Sequence, residues 1–277
     1  MKRIGKMIAI LVLVLLALAL LLALVAWIGL KVTPDPLPAY PANTTLDRTI
    51  PLPEDLPAPV ARFYRTIAGD SIPVIDSAVL TGPARLRFGG VTFPSRYRFI
   101  HEAGRNYRHY IELTIFGRVL TKVNEFYLDG NSRLELPFGT VENEPKVNQA
   151  ANLGLWGESM VLPSIFLTDP RVRWEAIDDA TARLVVPFED GEDSFTVHFD
   201  PDTGLLTTME AMRYKDQNSE KVRWICEARE WGSFHGLTLP RVLAATWEDE
   251  GTPWAVFTVD DLVFNADVSE AIRRHGP

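Results

Sequence analysis

Residues 147–168, VNQAANLGLWGESMVLPSIFLT, carry one charged side chain, Glu158, in a chain that beyond its N-terminus is strongly acidic. A second membrane span, a core helix or a lid over a binding site would each bury such a run. Composition argues against the span, because Asn148, Gln149, Asn152 and Glu158 are costly in hydrocarbon. Gly154, Gly157 and Pro163 further weaken a helix already near the minimum spanning length. As a helix the stretch is apolar on nearly every side, with Val147, Ala150, Leu153, Leu155, Trp156 and Met160 distributed around it, and it has to be buried.

What surrounds it has period two. Upstream, RYRFI (96–100) alternates arginine with aromatic or aliphatic residues, and NYRHYIELTIF (106–116) sets Tyr107, His109, Ile111, Leu113 and Ile115 on one face. EFYLDGNSRLEL then turns at Asp129-Gly130-Asn131. Downstream, VRWEAI, ATARLVVPF, DSFTVHF, GLLTTMEAMRYK, EKVRWICEAREW, LTLPRVLAATW and PWAVFTVDDLVF repeat the pattern between polar turns. About ten or eleven strands with no helical periods between them exclude a parallel α/β sheet. The expectation is a mainly β domain, one large curved antiparallel sheet (a half-barrel or partly closed barrel) with residues 147–167 as a central helix on its concave face. A concave apolar face has to be filled by the chain or by a ligand, so the helix is either a plug or a mobile lid hinged at Gly154, Gly157 and Pro163. The strand phases also place Trp174, Leu184, Val186 and Trp224 inside, and Arg96, Arg98 and Arg108 at solvent or against acids.

At the N-terminus Lys2, Arg3 and Lys6 precede an uncharged run from Met7 to Leu30. As a helix that run reaches about 36 Å, enough to cross a bilayer core of about 30 Å. It is too long for the apolar region of a cleaved signal peptide, and its only Ala-x-Ala lies inside it, so it reads as an uncleaved signal anchor in the cell membrane. Three basic residues before the span against Lys31 alone after it place the N-terminus in the cytoplasm and the main domain outside. Residues 1–31 are thus the cytoplasmic tip and anchor, 32–58 a proline-rich linker that spaces the domain from the bilayer, and 59–277 the extracytoplasmic β domain, which opens with an amphipathic helix in PVARFYRTIAG. Membrane partnership runs through residues 7–30.

Of 28 basic residues four lie at the anchor and none of the 36 acids does, so the remainder carries 24 against 36, a net −12. Such a domain repels nucleic acid. A single cysteine, Cys226, allows no internal disulfide, and a domain of this length has to be held by its own core. The first strands are locally basic: Arg85, Arg87, Arg96, Arg98, Arg105, Arg108 and Arg118 stand against Glu102 and Glu112. They form either an outward face paired with acids or a surface for an anionic headgroup or the bilayer.

No catalytic signature emerges. The five histidines show neither HExxH nor H-x-H spacing, so no metal is expected; there is no nucleophile elbow and no phosphate-binding glycine loop, and no cofactor is implied. His109, on the apolar face of its strand, reads as a hydrogen-bonded core imidazole. If the concave face is open, the candidates for touching a lipid or other hydrophobic ligand are Trp156, Met160, Phe166, Trp174 and His109; if it is filled, the domain is a structural or protein-interaction module of the cell envelope.

LPAPVARFYR (56–65), FYLDGNSRLELPF (126–138), GESMVLPSIFLTDPRVRWEAIDD (157–179), FDPDTGLL (199–206) and GLTLPRVLAATW (236–247) resemble an uncharacterised family of bacterial membrane-anchored proteins with a domain of unknown function. In architecture the succession of strands is similar to the periplasmic lipoprotein carriers of the LolA/LolB type. That likeness implies a curved sheet holding acyl chains against a helical lid.

Overall fold

The computed structural model describes residues 2–276. Helix α1 (Lys2–Gly29) is the apolar run, with none of its most apolar window buried. An extended segment leads to β1 (Thr49–Pro51), α2 (Ala58–Ala68) and β2 (Ser71–Pro73), with β1 and β2 paired antiparallel. In α2, Val60, Phe63, Tyr64 and Ile67 form one buried stripe, and the helix stops at Gly69, whose φ of 79° a side chain would resist.

Six strands follow: β3 (Ser77–Phe88), β4 (Val91–Glu102), β5 (Asn106–Ile115), β6 (Arg118–Leu128), β7 (Asn131–Leu136) and β8 (Gly139–Glu142). The helical stretch comes next as α3 (Pro145–Glu158), a 3-10 turn at Ser159–Val161 and α4 (Ile165–Thr168). The expected single helix is broken there because Pro163 has no N–H to continue it. Then come β9 (Arg173–Ala176), β10 (Thr181–Phe188), β11 (Gly191–Phe199), β12 (Leu206–Tyr214), β13 (Lys221–Phe234), β14 (Leu237–Trp247), β15 (Pro253–Thr258) and β16 (Asp261–Phe264). Apart from the β1–β2 pair these make one open, 14-stranded antiparallel sheet in the order β8-β7-β6-β5-β4-β3-β15-β14-β13-β12-β11-β10-β9, with β16 also on β3. The chain is a meander in two runs, β3–β8 and β9–β15: the helical segment connects the opposite edge strands β8 and β9, and the runs join where β15 and β16 pair with β3. The main core lies on the concave face, where Tyr97, Tyr107, Leu153, Trp156, Leu162, Leu184, Val186, Phe195 and Trp224 share one cluster with α2. Trp174, on edge strand β9, is only half-buried.

The other face departs from expectation. Every residue of β5 except Ile115 is buried, on both faces of the sheet. Arg98 and Arg108 do not reach solvent: they are 8% and 2% exposed. The segment after α1 and the C-terminus cover them, so that Arg98 donates to the Pro38 carbonyl and Arg108 to the carbonyls of Ala271 and Gly276. Arg96 does meet an acid, Glu112 at 2.6 Å, and also donates to the Asp35 carbonyl. Residues 32–48 are extended but lie along the domain, with Asn265 donating to the Thr45 carbonyl and Thr44 Oγ1 accepting from the Phe264 amide.

Candidate functional site

The helical segment is fastened along its whole length. Three side chains that made it a poor membrane span each satisfy a buried hydrogen bond. Asn148 accepts from the amide and hydroxyl of Ser132 on β7, Gln149 donates to Asp193 and the Met212 carbonyl, and Asn152 accepts from Tyr127 and donates to the Pro187 carbonyl. At the far end the Pro163 carbonyl accepts from Tyr64 of α2, and Ser164 Oγ accepts from the Ile75 amide. Gly157 lets α3 approach the sheet closely: a Cβ there would stand 3.1 Å from Trp224 and 3.3 Å from Cys226 Sγ.

Glu158, the last residue of α3, carries the segment's only charge into a cluster on β4–β6. His109 Nε2 lies 2.7 Å from a Glu158 oxygen and Nδ1 lies 3.3 Å from Glu125, so both nitrogens face carboxylates and the ring is set up as an imidazolium donating to each. Tyr107 donates to Glu125 at 2.5 Å. The rings of Phe99 and Tyr107 stand 3.9 and 4.1 Å from that of His109. Burial alone would depress His109, but the charges and hydrogen bonds of Glu158 and Glu125 outweigh it and raise the pKa to about 9. For Glu158 burial works against ionisation, yet His109 and His101 hold the carboxyl down at about 2. His101 is different. Burial lowers its pKa despite Glu158. Its Nε2 is 3.2 Å from the same Glu158 oxygen, but neither ring nitrogen has an aligned hydrogen-bond partner among the described residues. The cluster is therefore an ion-paired latch between the end of α3 and the sheet.

Ring nitrogens of His101 and His109 and an oxygen of Glu158 lie within 4.8 Å of one another, a grouping that could ligate a divalent ion. The proton held on His109 up to about pH 9 opposes this, because a metal needs that imidazole neutral. Cys226 supplies no thiolate nearby, since burial pushes its pKa up.

Beside the latch, between sheet and segment, is an apolar cavity of about 40 Å³ lined by Tyr97, Phe99, Met160, Trp224, Leu243 and Phe257, with His101 and Glu158 at its wall. It has room for a few small groups and not for a long chain. A separate, open cleft of about 340 Å³ touches Leu155 and Trp156, but Arg105, Asp129, Arg171 and Glu189 rim it. The five candidate contact residues do not line one cavity, although Trp156, Met160 and Phe166 share the main core and Trp174 packs against it. Met160 lines the cavity and His109 sits in the latch, while Trp156, Phe166 and Trp174 form a separate aromatic row with ring centroids 6.5 and 6.0 Å apart. Sequence reasoning missed His101 and Glu125. The signal that finds them is register: Phe99 pairs with His109, His101 with Tyr107, and His109 with Glu125 across β4, β5 and β6.

Among solved structures, the chain is similar to a DUF1329 family protein from Desulfovibrio piger, at 13% identity over 73% of this chain and 90% of that one, with a TM-score of 0.42. It is also similar to a LolA superfamily protein from Nitrosomonas europaea, at 12% identity over 72% and 90% with a TM-score of 0.44. Similarity at this level bears neither on ligand nor on mechanism. No curated protein matches the sequence. The model of a family of unknown function, DUF6544, matches residues 48–259, from β1 through the end of β15, and the chain belongs to that family.

Proposed function

We propose that the chain is a single-span protein of the cell envelope with a cytoplasmic N-terminus, whose β domain works outside the cytoplasm as an interaction module with a filled concave face. One observation carries this reading: Trp156 and Met160 are 1% and 2% exposed in the core, and the apolar cavity beside Met160 is about 40 Å³. A site for an acyl chain needs several hundred Å³. The test is titration of the full chain in nanodiscs with a fluorescent fatty acid, against empty discs. Uptake equal to that of empty discs is expected, and saturable one-to-one binding above it would overturn the reading.

A second reading is a small hydrophobic ligand with one polar group, held in the cavity. It is favoured by His101 and by Trp224 Nε1, buried polar groups at the cavity wall without hydrogen-bond partners among the described residues. A longer, lipid-like molecule would have to displace Met160 and the 3-10 turn. Mass spectrometry of small molecules released from the purified protein tests it, a stoichiometric compound lost in Ala245→Leu supporting it and none being found removing it.

A further inference from the structure

Beyond the span, ten large apolar side chains are exposed among the described residues, and seven sit on three neighbouring hairpins: Phe88 and Val91, Phe116, Val119 and Leu120, and Leu136 and Phe138. The turns join β3 to β4, β5 to β6 and β7 to β8, which are consecutive in the sheet, so all three tips lie along one edge, with about 10 Å between neighbouring hairpins. Phe138 is completely exposed. An aligned apolar row on a soluble face is a liability unless something covers it.

The covering is identified by what the middle tip touches. The Phe116 amide donates to the Gly29 carbonyl at 2.9 Å, at the C-terminal end of α1, and Gly29 is the residue that lets the Phe116 ring lie against the helix, since a Cβ there would come within 2.6 Å of it. Val32, the next exposed apolar residue, lies against Gly117. The tips therefore begin where the apolar run of the span ends, at the depth of the bilayer interface if α1 crosses it. Arg85, Arg118 and Lys122 are exposed around them, and Lys31 lies over the Trp27 ring at the helix end, the arrangement of interfacial anchors. The row ends at the acidic turn Glu248–Gly251, which Glu250 ties to Arg87.

We propose that the three hairpin tips are a membrane footprint. Phe88, Phe116, Leu120 and Phe138 enter the interfacial layer of the same bilayer that α1 crosses, so that the domain sits on the membrane on one edge of its sheet. This rests on the proposed anchor, and the test separates the two. The full chain, in which native Cys226 is buried, is given single cysteines at Phe138, Leu120, Asn131 and Leu16, labelled with an environment-sensitive fluorophore and reconstituted into vesicles with or without brominated lipid. Labels on Phe138→Cys and Leu120→Cys should be blue-shifted and quenched by brominated lipid; the label on Asn131→Cys, at the opposite end of β7, should be neither. Quenching of Leu16→Cys with no quenching at the tips would overturn the footprint and keep the anchor, and no quenching at Leu16 would remove the anchor and the footprint with it. Tip labels shifted to the blue but unquenched would mean that protein, not lipid, covers the row, and would also overturn the proposal.

Discussion

The helical segment and the hairpin tips are both apolar, yet Leu153, Val161 and Leu162 have no accessible surface and Phe138 has all of it. The segment can be buried because most of the polar groups it brings find partners: Asn148, Gln149 and Asn152 bond to neighbouring strands and Glu158 sits against two imidazoles, which leaves Gln149 Oε1 and Trp156 Nε1 unpaired among the described residues. The tips cannot be buried by the fold, because a turn at the edge of a sheet has no second layer to cover it. Apolar composition states a demand for a non-aqueous neighbour; topology decides whether the chain or the bilayer supplies it.

The contrast breaks most readily at two aromatic residues. Trp156→Ala should leave a void in the core and destabilise the domain by about 3 to 5 kcal/mol, measured by denaturant unfolding. Phe138→Ala should change stability by less than about 0.5 kcal/mol. Equal effects would mean that the segment is not a core element.

Removing the latch's charge comes next. Glu158→Gln leaves the His109 imidazolium without its nearer partner, and because Glu158 keeps 24% of its side-chain surface exposed, the loss should fall at the lower end for broken buried pairs, about 3 kcal/mol. pH sharpens the same point. His109 has a raised folded pKa of about 9, so its contribution is complete below the ordinary imidazole pKa of about 6.5 and is lost as pH rises through 9, at most about 3 kcal/mol. His101, lowered by burial, acts oppositely and removes stability as pH falls below about 6.5. Stability should thus peak near neutral pH, and His109→Gln should flatten its decline between pH 7 and 9. Among the changes within the segment the smallest is Gly157→Ala, where the new methyl group crowds Trp224 and Cys226 and should cost about 1 to 2 kcal/mol.

Much of this architecture is legible in the sequence because it is written in local periods: the long apolar helix α1, the alternation of β3 to β15, the stripe of α2 and the all-round apolarity of residues 147–162. What is not legible depends on which strand faces which. His101 and His109 are eight residues apart on two strands, and Glu158 is 49 residues further on, so no spacing rule joins them. Arg98 and Arg108 alternate like solvent-facing residues because the sequence pattern cannot say that Pro38 and Gly276 return to cover them. Exposed Phe116 and Phe138 look like core residues until the turns are placed at one edge.

Whether the concave face is filled or lidded is decided most directly by amide hydrogen exchange along α3. As a plug, Ala150 to Gly157 should exchange as slowly as Tyr107 to Leu113 of β5, through the same global unfolding and with the same denaturant dependence. Exchange of Ala150 to Gly157 orders of magnitude faster than β5, with the strands still protected, would contradict the account and make the segment a lid.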